Sequence, residues 1–302
     1  MTLFSSLISI FIIIFIGIIC AKKQIISKPK IEAIEHLLIK IVIPAYLFIA
    51  TYTDDLPSLF NIEYISAYLL SFMMVALLTA LVFFRKVSMA ALYIRMLASG
   101  YVNASIYALP VITLLLKDPT SAVMGNLLQV IVIQPIFIVL LTLVKHKDRS
   151  IFKKLMNIIS SPLLIMPIAG ILCNYFQINI ATSIVNAVSL IGSGASAIAL
   201  FTFGLTLGAT HIPKAALKAD LLGIVFIKNI LHPIVALGIA YFMNLESYWY
   251  YSLIIAASTP TAFVVYLIAK QFSVEVELLK KVIALSAVVS MVELVLITLM
   301  LV

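Results

Sequence analysis

Two proline-containing stretches inside apolar runs carry the polar groups best placed to bind a ligand. In the fourth apolar run, Asn103, Tyr107 and Pro110 recur at spacings of four and three residues, so they share one face of a helix. Proline has no N–H for the carbonyl four residues earlier, and its ring crowds that carbonyl, so we expect the helix to kink or unwind at Ile106. An amide, a phenol and a freed carbonyl on one face predict a binding site.

The ninth apolar run repeats this device with Ser258, Thr259 and Pro260, and proline there frees the carbonyl of Ala256. If these runs cross a membrane, such groups must face protein or a water-filled cavity. The N-termini of the resulting half-helices present unpaired N–H groups and a positive dipole end, which suit a carboxylate. Two ordinary proline kinks are the alternative. We predict that a substrate anion binds at Asn103, Tyr107, Pro110, Ser258, Thr259 and Pro260.

Ionisable residues deep inside apolar runs are costly, at about 3 kcal/mol or more each at the centre of a bilayer. Lys228 in the eighth run could attract an anion or substitute for a coupling cation. A snorkelling lysine or an internal ion pair is the alternative. Glu293 in the tenth run is a candidate proton carrier, with an outer-leaflet structural role as the alternative. Lys40 and Arg95 lie nearer the ends of their runs and are predicted to be interfacial anchors.

The elements that must position these residues follow from composition. The 302 residues are 64% hydrophobic and 11% charged, with a mean hydropathy of +1.22, which no water-soluble fold could bury. Apolar runs long enough to span a bilayer lie at residues 3–21, 33–52, 62–84, 88–116, 121–144, 155–176, 180–209, 220–243, 248–269 and 278–301. The sequence predicts an all-α integral membrane protein of ten transmembrane helices and excludes large soluble domains.

Charge in the loops predicts the topology. Most of the 20 Lys and Arg residues lie in every second loop, so these loops face the cytoplasm and both termini lie on the non-cytoplasmic side. The strongest cationic loop, residues 145–154, separates a first five-helix repeat, 1–144, from a second, 155–302. A shift of 150 residues places Pro110 on Pro260. Halves with an odd number of spans enter the membrane from opposite sides, which predicts an inverted repeat.

Small residues in the seventh run, including Gly192, Ser193, Gly194 and Ser196, favour close packing of helices. The rival interpretation is an intramembrane serine protease with Ser193 or Ser196 as nucleophile and His232 as base. Zinc-protease and phosphate-loop motifs are absent from the sequence, which disfavours metalloproteolysis and ATP-driven transport. No cofactor or metal is expected, and nucleic acid is not an expected partner.

The sequence resembles the auxin efflux carrier family, with a malonate or malate permease-like bacterial member as the nearest type. Asn103 and Pro110 keep the spacing of that family's fourth-span motif, whereas Ser105, Ile106 and Ala108 replace its glycine, aromatic and glycine. Further positions match in order along the chain: Pro44, Ala45, Leu47, Phe48, Pro162, Gly170, Leu200, Phe201, Gly204, Leu207, Lys228, Pro233, Pro260, Thr261, Ala262, 269–272, Glu277, Ser286 and Ser290.

The resemblance implies a fold similar to the bile acid and sodium symporters, with broken helices crossing in spans four and nine. It also implies carboxylate substrates and a homodimer, with Asn103, Pro110 and Pro260 at the crossing. We therefore expect a secondary transporter of a small organic anion that works by alternating access in the cell (inner) membrane, with H⁺ or Na⁺ as the candidate coupling ion. A sodium-coupled carrier for a larger, bile-acid-like anion is the alternative.

Overall fold

The computed structural model describes residues 3–145, 151–210 and 218–300 of the chain. Within these residues the regular elements are helices, apart from one isolated antiparallel bridge. The central residues of the predicted cytoplasmic linker, 146–150, lie outside the described residues, as do Lys214 and both chain termini. Where the ends of the chain lie relative to the membrane therefore stays a prediction.

The α-helices follow one another through all ten apolar runs. They are α1 (Leu3–Lys22), α2 (Lys28–Leu37), α3 (Ile43–Thr53), α4 (Leu56–Leu59), α5 (Ile62–Phe83), α6 (Met89–Gly100), α7 (Leu109–Leu116), α8 (Thr120–Leu128), α9 (Gln134–Lys145), α10 (Ile151–Ile159), α11 (Pro162–Tyr175), α12 (Thr182–Ser193), α13 (Ala195–Ala209), α14 (Ala219–Phe226), α15 (His232–Phe242), α16 (Ser247–Ala257), α17 (Phe263–Phe272) and α18 (Val276–Met300).

Seven helical stretches of the described residues are long and apolar enough to cross a membrane, which confirms an all-helical, multi-pass membrane protein. These are Ser5–Lys22, Lys28–Thr53, Leu56–Phe83, Thr120–Lys145, Thr182–Ala209, Ala219–Phe242 and Val276–Leu299. The fourth, sixth and ninth apolar runs form shorter helices instead. The shorter apolar helices include Ala104–Leu116, Pro162–Tyr175 and Phe263–Phe272.

Turns of π-helix precede several of the prolines. The described π turns are Leu38–Val42, Ala104–Ala108, Gln129–Ile133 and Ile227–Leu231, and they are followed by Pro44, Pro110, Pro135 and Pro233. In each case the proline is the second residue of the next α-helix, and the carbonyl four residues before it lies inside the π turn. A π turn widens the hydrogen-bonding ring, so it absorbs the missing proline N–H and relieves the clash of the proline ring. The long helices therefore continue past these prolines.

Tertiary contacts divide the chain into two compact units. The first unit comprises the described residues within Met1–Asn61, Ser105–Leu127 and Asn157–Thr210. The second unit comprises those within Ile62–Ala104, Leu128–Met156 and His211–Val302. The fourth apolar run thus contributes to both units, since its chain passes from the second unit to the first at residue 105.

Glycines allow close helix packing in the first unit. Gly204 on α13 lies against the carbonyl of Ile14 on α1, and Gly17 on α1 lies against the carbonyl of Phe201. A side chain at either glycine would collide with backbone atoms, so the two helices approach as small-residue pairs do in membranes. Gly192, predicted to serve packing, contacts the backbone of Tyr46 on α3 in the same way.

The same unit ties α11 to α3 through polar groups. Asn174 Nδ2 donates to the carbonyls of Thr51, Tyr52 and Asp54 at 3.2, 3.0 and 2.8 Å, where α3 ends. These are carbonyls that a helix end leaves without internal donors. Asn174 therefore acts as the C-terminal cap of α3.

The second unit holds α5, α6, α9 and α14–α18 around a core of apolar side chains. Trp249 on α16 is buried against the ring of Tyr64 on α5, with ring centroids 5.0 Å apart. Gly100, the last residue of α6, lies under the ring of Phe72. This packing fixes α6 and α16 at the points where both helices end, which is where the candidate site begins.

Candidate functional site

Two interruptions of the helical backbone lie side by side in the second unit. The first interruption, residues 101–103, follows α6, and the second interruption, residues 258–262, separates α16 from α17. The two segments run antiparallel where they pair, with Val102 bridged to Thr261. Strand-like pairing within a membrane protein is tolerated where each unwound segment satisfies the backbone groups of the other.

Main-chain hydrogen bonds join the two interruptions. The N–H of Asn103 donates to the carbonyl of Pro260 at 3.1 Å, and the N–H of Ala262 donates to the carbonyl of Tyr101 at 3.4 Å. These bonds replace helical ones that unwinding removes. The backbone of Asn103 is thereby fixed without using its side chain.

The fourth run is interrupted earlier than Pro110 alone suggested. We expected the helix to kink or unwind at Ile106, four residues before Pro110; a π turn lies there, but α6 already ends at Gly100. Pro110 is the second residue of α7 and is accommodated by the π turn Ala104–Ala108. Tyr and Val at the first interruption are residue types that favour extended backbone, and the pairing with residues 258–262 supplies the missing hydrogen bonds. In the ninth run, by contrast, Pro260 lies within the interruption itself.

Buried side chains complete the pairing. Gln129 Oε1 accepts from the N–H of Val102 at 2.9 Å. Thr259 Oγ1 accepts from the N–H of Asn103 at 3.1 Å and donates to the carbonyl of Ala256 at 2.8 Å. The side chains of Gln129 and Thr259 therefore hold the backbone of the paired interruptions in place.

Thr261 ties the second interruption to two further helices. Its N–H donates to Ser286 Oγ on α18 at 2.9 Å, and its Oγ1 donates to the carbonyl of Ala98 on α6 at 2.7 Å. Thr261 and Ser286 were not among the predicted site residues. Thr261 follows Pro260 directly, and this adjacency was the signal in the sequence that could have identified it.

The predicted hydroxyl donors are largely used within the protein. Ser258 Oγ donates to the carbonyl of Ile254 at 2.9 Å, as Thr259 does to Ala256. Asn103 differs, because its half-buried side-chain amide has no hydrogen-bond partner among the described residues. Among the described side chains of residues 101–103 and 258–262, the Asn103 amide is therefore the donor that has no partner.

Tyr107 and Pro110 belong to the first unit and are described there. Tyr107 is 2% exposed, and its ring meets the ring of Phe203 edge-on at 4.7 Å. Pro110 is buried in α7. In the second unit the structure brings Asn103, Ser258, Thr259 and Pro260 together; the placement of Tyr107 and Pro110 beside them stays a prediction.

Lys228 lies on the π turn Ile227–Leu231 and is fully buried, at 0% exposure. Its Nζ donates to the carbonyl of Ala257 at 2.7 Å and lies 3.2 Å from His232 Nδ1. Ala257 is the last residue of α16, where the helix dipole has its negative end. The Lys228 amine therefore caps the end of α16 next to the second interruption.

Glu293 on α18 is 8% exposed and accepts a hydrogen bond from Asn229 Nδ2 at 3.2 Å. Asn229 directly follows Lys228, so the π turn Ile227–Leu231 both carries Lys228 and supplies the hydrogen bond to Glu293. The carboxyl group is linked to the interruptions through Ser286, whose carbonyl also accepts from Asn229 Nδ2, at 3.3 Å. Asn229 was the residue that sequence reasoning left without a role.

Arg95 is not the interfacial anchor that its position in the sequence suggested. It is 3% exposed, and its guanidinium group donates to Asp220 at 2.9 Å and to both oxygens of Glu275 at 3.1 and 3.2 Å. It also lies over the ring of Phe83, 4.7 Å from the centroid. Arg95 thus joins α6 to α14 and to the loop before α18, since a bidentate carboxylate contact fixes its orientation.

The groups of the rival protease interpretation have other partners. Ser193 Oγ donates to the carbonyl of Leu190 at 2.7 Å in the first unit. His232 faces Lys228 in the second unit. Among the described residues, no group of three or more His, Cys, Asp or Glu is placed to hold a metal ion.

Comparison with known proteins identifies the family of the chain. The sequence profile of a family described as "Membrane transport protein" matches residues 145–298, about half of the chain, and this part contains the second interruption, Lys228 and Glu293. No curated protein matches the chain significantly. The protein therefore belongs to the membrane transport protein family, the family of the auxin efflux carriers.

Proposed function

We propose that this protein is a secondary active transporter that moves a small organic anion across the membrane by alternating access. The substrate class is a carboxylate such as malonate, malate or an auxin-like acid. The observation that carries the proposal is the pair of hydrogen-bonded interruptions, which places the half-buried Asn103 amide beside Pro260. Discontinuous helices meeting near the middle of the membrane are the usual form of a transporter's substrate site.

Charge at the second interruption supports an anionic substrate. The helix α17 begins at Phe263, directly after the interruption, so its first N–H groups and positive dipole end face the same segment. On the other side of that segment, the Lys228 ammonium covers the negative end of α16. Positive potential is therefore concentrated near Asn103, and no carboxylate hydrogen-bonds to residues 258–262 among the described contacts.

We also propose the ten-span architecture of two inverted repeats, residues 1–144 and 155–302, joined by a cytoplasmic linker at 145–154. The alternation of loop charge supports it. The shift of 150 residues that aligns Pro110 with Pro260 also aligns Pro44, beside the first π turn, with Gly194, where α12 gives way to α13. Matching irregularities at matching positions are what a duplicated helical unit would retain.

The proposal also includes a cellular location and an oligomeric state. Cationic loops support a cell (inner) membrane location with both termini on the non-cytoplasmic side. The resemblance to auxin efflux carriers supports a homodimer. Tyr107, Pro110, Ser258, Thr259 and Pro260 complete the proposed substrate site, and transport in place of catalysis is the expected activity.

Uptake of radiolabelled malonate into liposomes that contain the purified protein tests the proposal, with and without an inward proton gradient. Saturable uptake is expected in the wild type and should be lost in Asn103→Ala. Alanine keeps the backbone N–H that pairs with Pro260 and deletes a side chain that has no partner, so the variant should remain folded. Asn186→Ala, an exposed position on α12, is the matched control and should transport normally.

Two outcomes would contradict the proposal. Full uptake by Asn103→Ala would exclude the crossing as the substrate site. Lack of malonate uptake by the folded wild type under either gradient would exclude this substrate, and sodium-driven uptake of a larger organic anion would then identify the alternative carrier.

A further inference from the structure

Asn229 and Glu293 leave two oxygen atoms without hydrogen-bond partners deep inside the second unit. Asn229 is 1% exposed and Glu293 is 8% exposed. The atoms are Asn229 Oδ1 and Glu293 Oε1, and among the described residues no group donates to either of them. Both atoms are acceptors, so this site lacks a donor or a cation. A buried acceptor without a donor is costly, and a buried charge without a partner is more so.

These two side chains are already joined by one hydrogen bond, from Asn229 Nδ2 to Glu293 Oε2 at 3.2 Å. The orientation of the amide is fixed by its other contacts, because Nδ2 also approaches Ser290 Oγ at 2.9 Å and the carbonyl of Ser286 at 3.3 Å. A carbonyl only accepts, so the nitrogen and not the oxygen of the amide must face it. The unpartnered Oδ1 therefore belongs on the other branch of the amide.

We propose that the Glu293 carboxyl binds a proton at Oε1 and donates it to Asn229 Oδ1. A carboxylic acid and a primary amide then face each other through two hydrogen bonds, one of which is already present. The proton satisfies both unpartnered oxygens and removes the negative charge from the bilayer interior. One bound proton thus completes the hydrogen bonding of this cluster.

No ion pair holds Glu293 in its charged form among the described contacts. A positive charge on Lys228 would favour the carboxylate, but Lys228 Nζ is directed to the carbonyl of Ala257 and to His232, not to Glu293. The remaining titratable side chains on α18 and on the helices packed against it are Asp220, Tyr248, Tyr250, Tyr251, Tyr266, Lys270, Glu277, Lys280 and Lys281. Asp220 is bound to Arg95, and Glu277 is bound to Lys280 near the start of α18.

A continuous set of contacts connects this proton site to the paired interruptions. Asn229 donates to the carbonyl of Ser286, and Ser286 Oγ accepts from the N–H of Thr261 in the second interruption. Loss of the proton would change the partner of Asn229 and so act on the backbone at the crossing. That this proton couples to substrate movement rests on the transport function proposed above; the proton site itself does not.

Infrared difference spectroscopy of the purified protein in lipid membranes, recorded from mildly acidic to mildly alkaline pH, tests the site. The wild type should show the C=O stretching band of a protonated, hydrogen-bonded carboxylic acid. The band should be lost in Glu293→Gln and unchanged in Glu63→Gln, an exposed position on α5. In Asn229→Leu the band should move to the frequency of an acid without an amide partner.

Glutamine at position 293 should leave the protein folded, because its amide can donate to Asn229 Oδ1 as the acid would. A carboxylic-acid band that is the same with and without Glu293 would overturn the proposal, as would an unchanged band in Asn229→Leu. Disappearance of the band on replacing N-methylglucamine with sodium at constant ionic strength would show a metal-cation site and overturn it too. The spectra need no substrate, so their failure is distinguishable from a failure of transport.

Discussion

Removing the hydroxyl of Thr259 should weaken the paired interruptions most directly. Thr259 is fully buried, at 0% exposure. Its Oγ1 accepts from the N–H of Asn103 at 3.1 Å and donates to the carbonyl of Ala256 at 2.8 Å. Valine has nearly the shape of threonine, so Thr259→Val deletes both hydrogen bonds without opening a sizeable cavity.

The expected loss in the free energy of unfolding is about 1 to 2 kcal/mol, from two hydrogen bonds worth about 0.6 to 1 kcal/mol each. The loss is limited because the N–H of Asn103 and the carbonyl of Ala256 each keep another hydrogen bond. The N–H of Asn103 also donates to the carbonyl of Pro260 at 3.1 Å, and the carbonyl of Ala256 also accepts from the N–H of Thr259 at 3.2 Å. Transport should fall as well, since Asn103 becomes less firmly held.

Reversible unfolding in mixed micelles, followed by tryptophan fluorescence, measures this loss. Trp249 is the single tryptophan of the chain and is buried on α16, which ends at the second interruption. Thr142→Val is the matched control, because the buried hydroxyl of Thr142 donates to the carbonyl of Ile138 in its own helix and makes no other hydrogen bond among the described residues. That variant loses one hydrogen bond and should lower the free energy of unfolding by about 0.6 to 1 kcal/mol, roughly half the loss expected for Thr259→Val. Equal losses in the two variants would refute the role assigned to Thr259.

Two further substitutions test what holds each unit together. Arg95→Met should lower the free energy of unfolding by about 2 to 4 kcal/mol, because a buried cation is removed from two carboxylates, one of them half-exposed. The exposed Arg85→Met should change it little in the same mixed-micelle unfolding assay. Gly204→Leu should reduce the yield of monodisperse protein in size-exclusion chromatography, since its side chain would meet the carbonyl of Ile14. Gly238→Leu should elute normally, because no atom lies within 4 Å of a Cβ added there.

Much of the fold could be predicted because the membrane constrains the chain locally. A membrane span requires a long apolar run. The pattern of apolar runs separated by loops, every second one cationic, therefore predicted a multi-pass helical protein from residue types alone. Pro260 also marked the second interruption correctly, since a missing N–H acts on its own helix whatever the neighbours are.

Pro110 shows where local reasoning was incomplete. The same missing N–H that breaks the ninth run is absorbed by a π turn in the fourth, and the helix there ends at Gly100 instead. The choice depends on residues 258–262, which supply hydrogen bonds to the extended segment from more than 150 positions away in the chain. No pattern around Pro110 contains that information.

The sequence by itself determined that this protein crosses the membrane repeatedly. It also identified Asn103, Lys228 and Glu293 as polar or ionisable side chains inside apolar runs, and Pro260 as a point where a helix must be interrupted. Only the tertiary structure decided what each of them contacts. Lys228 caps α16, and Glu293 faces Asn229. Arg95, predicted to be an interfacial anchor, is buried and forms an ion pair with Glu275. Burial and hydrogen bonding depend on residues distant in the chain, whereas apolar length and proline geometry do not.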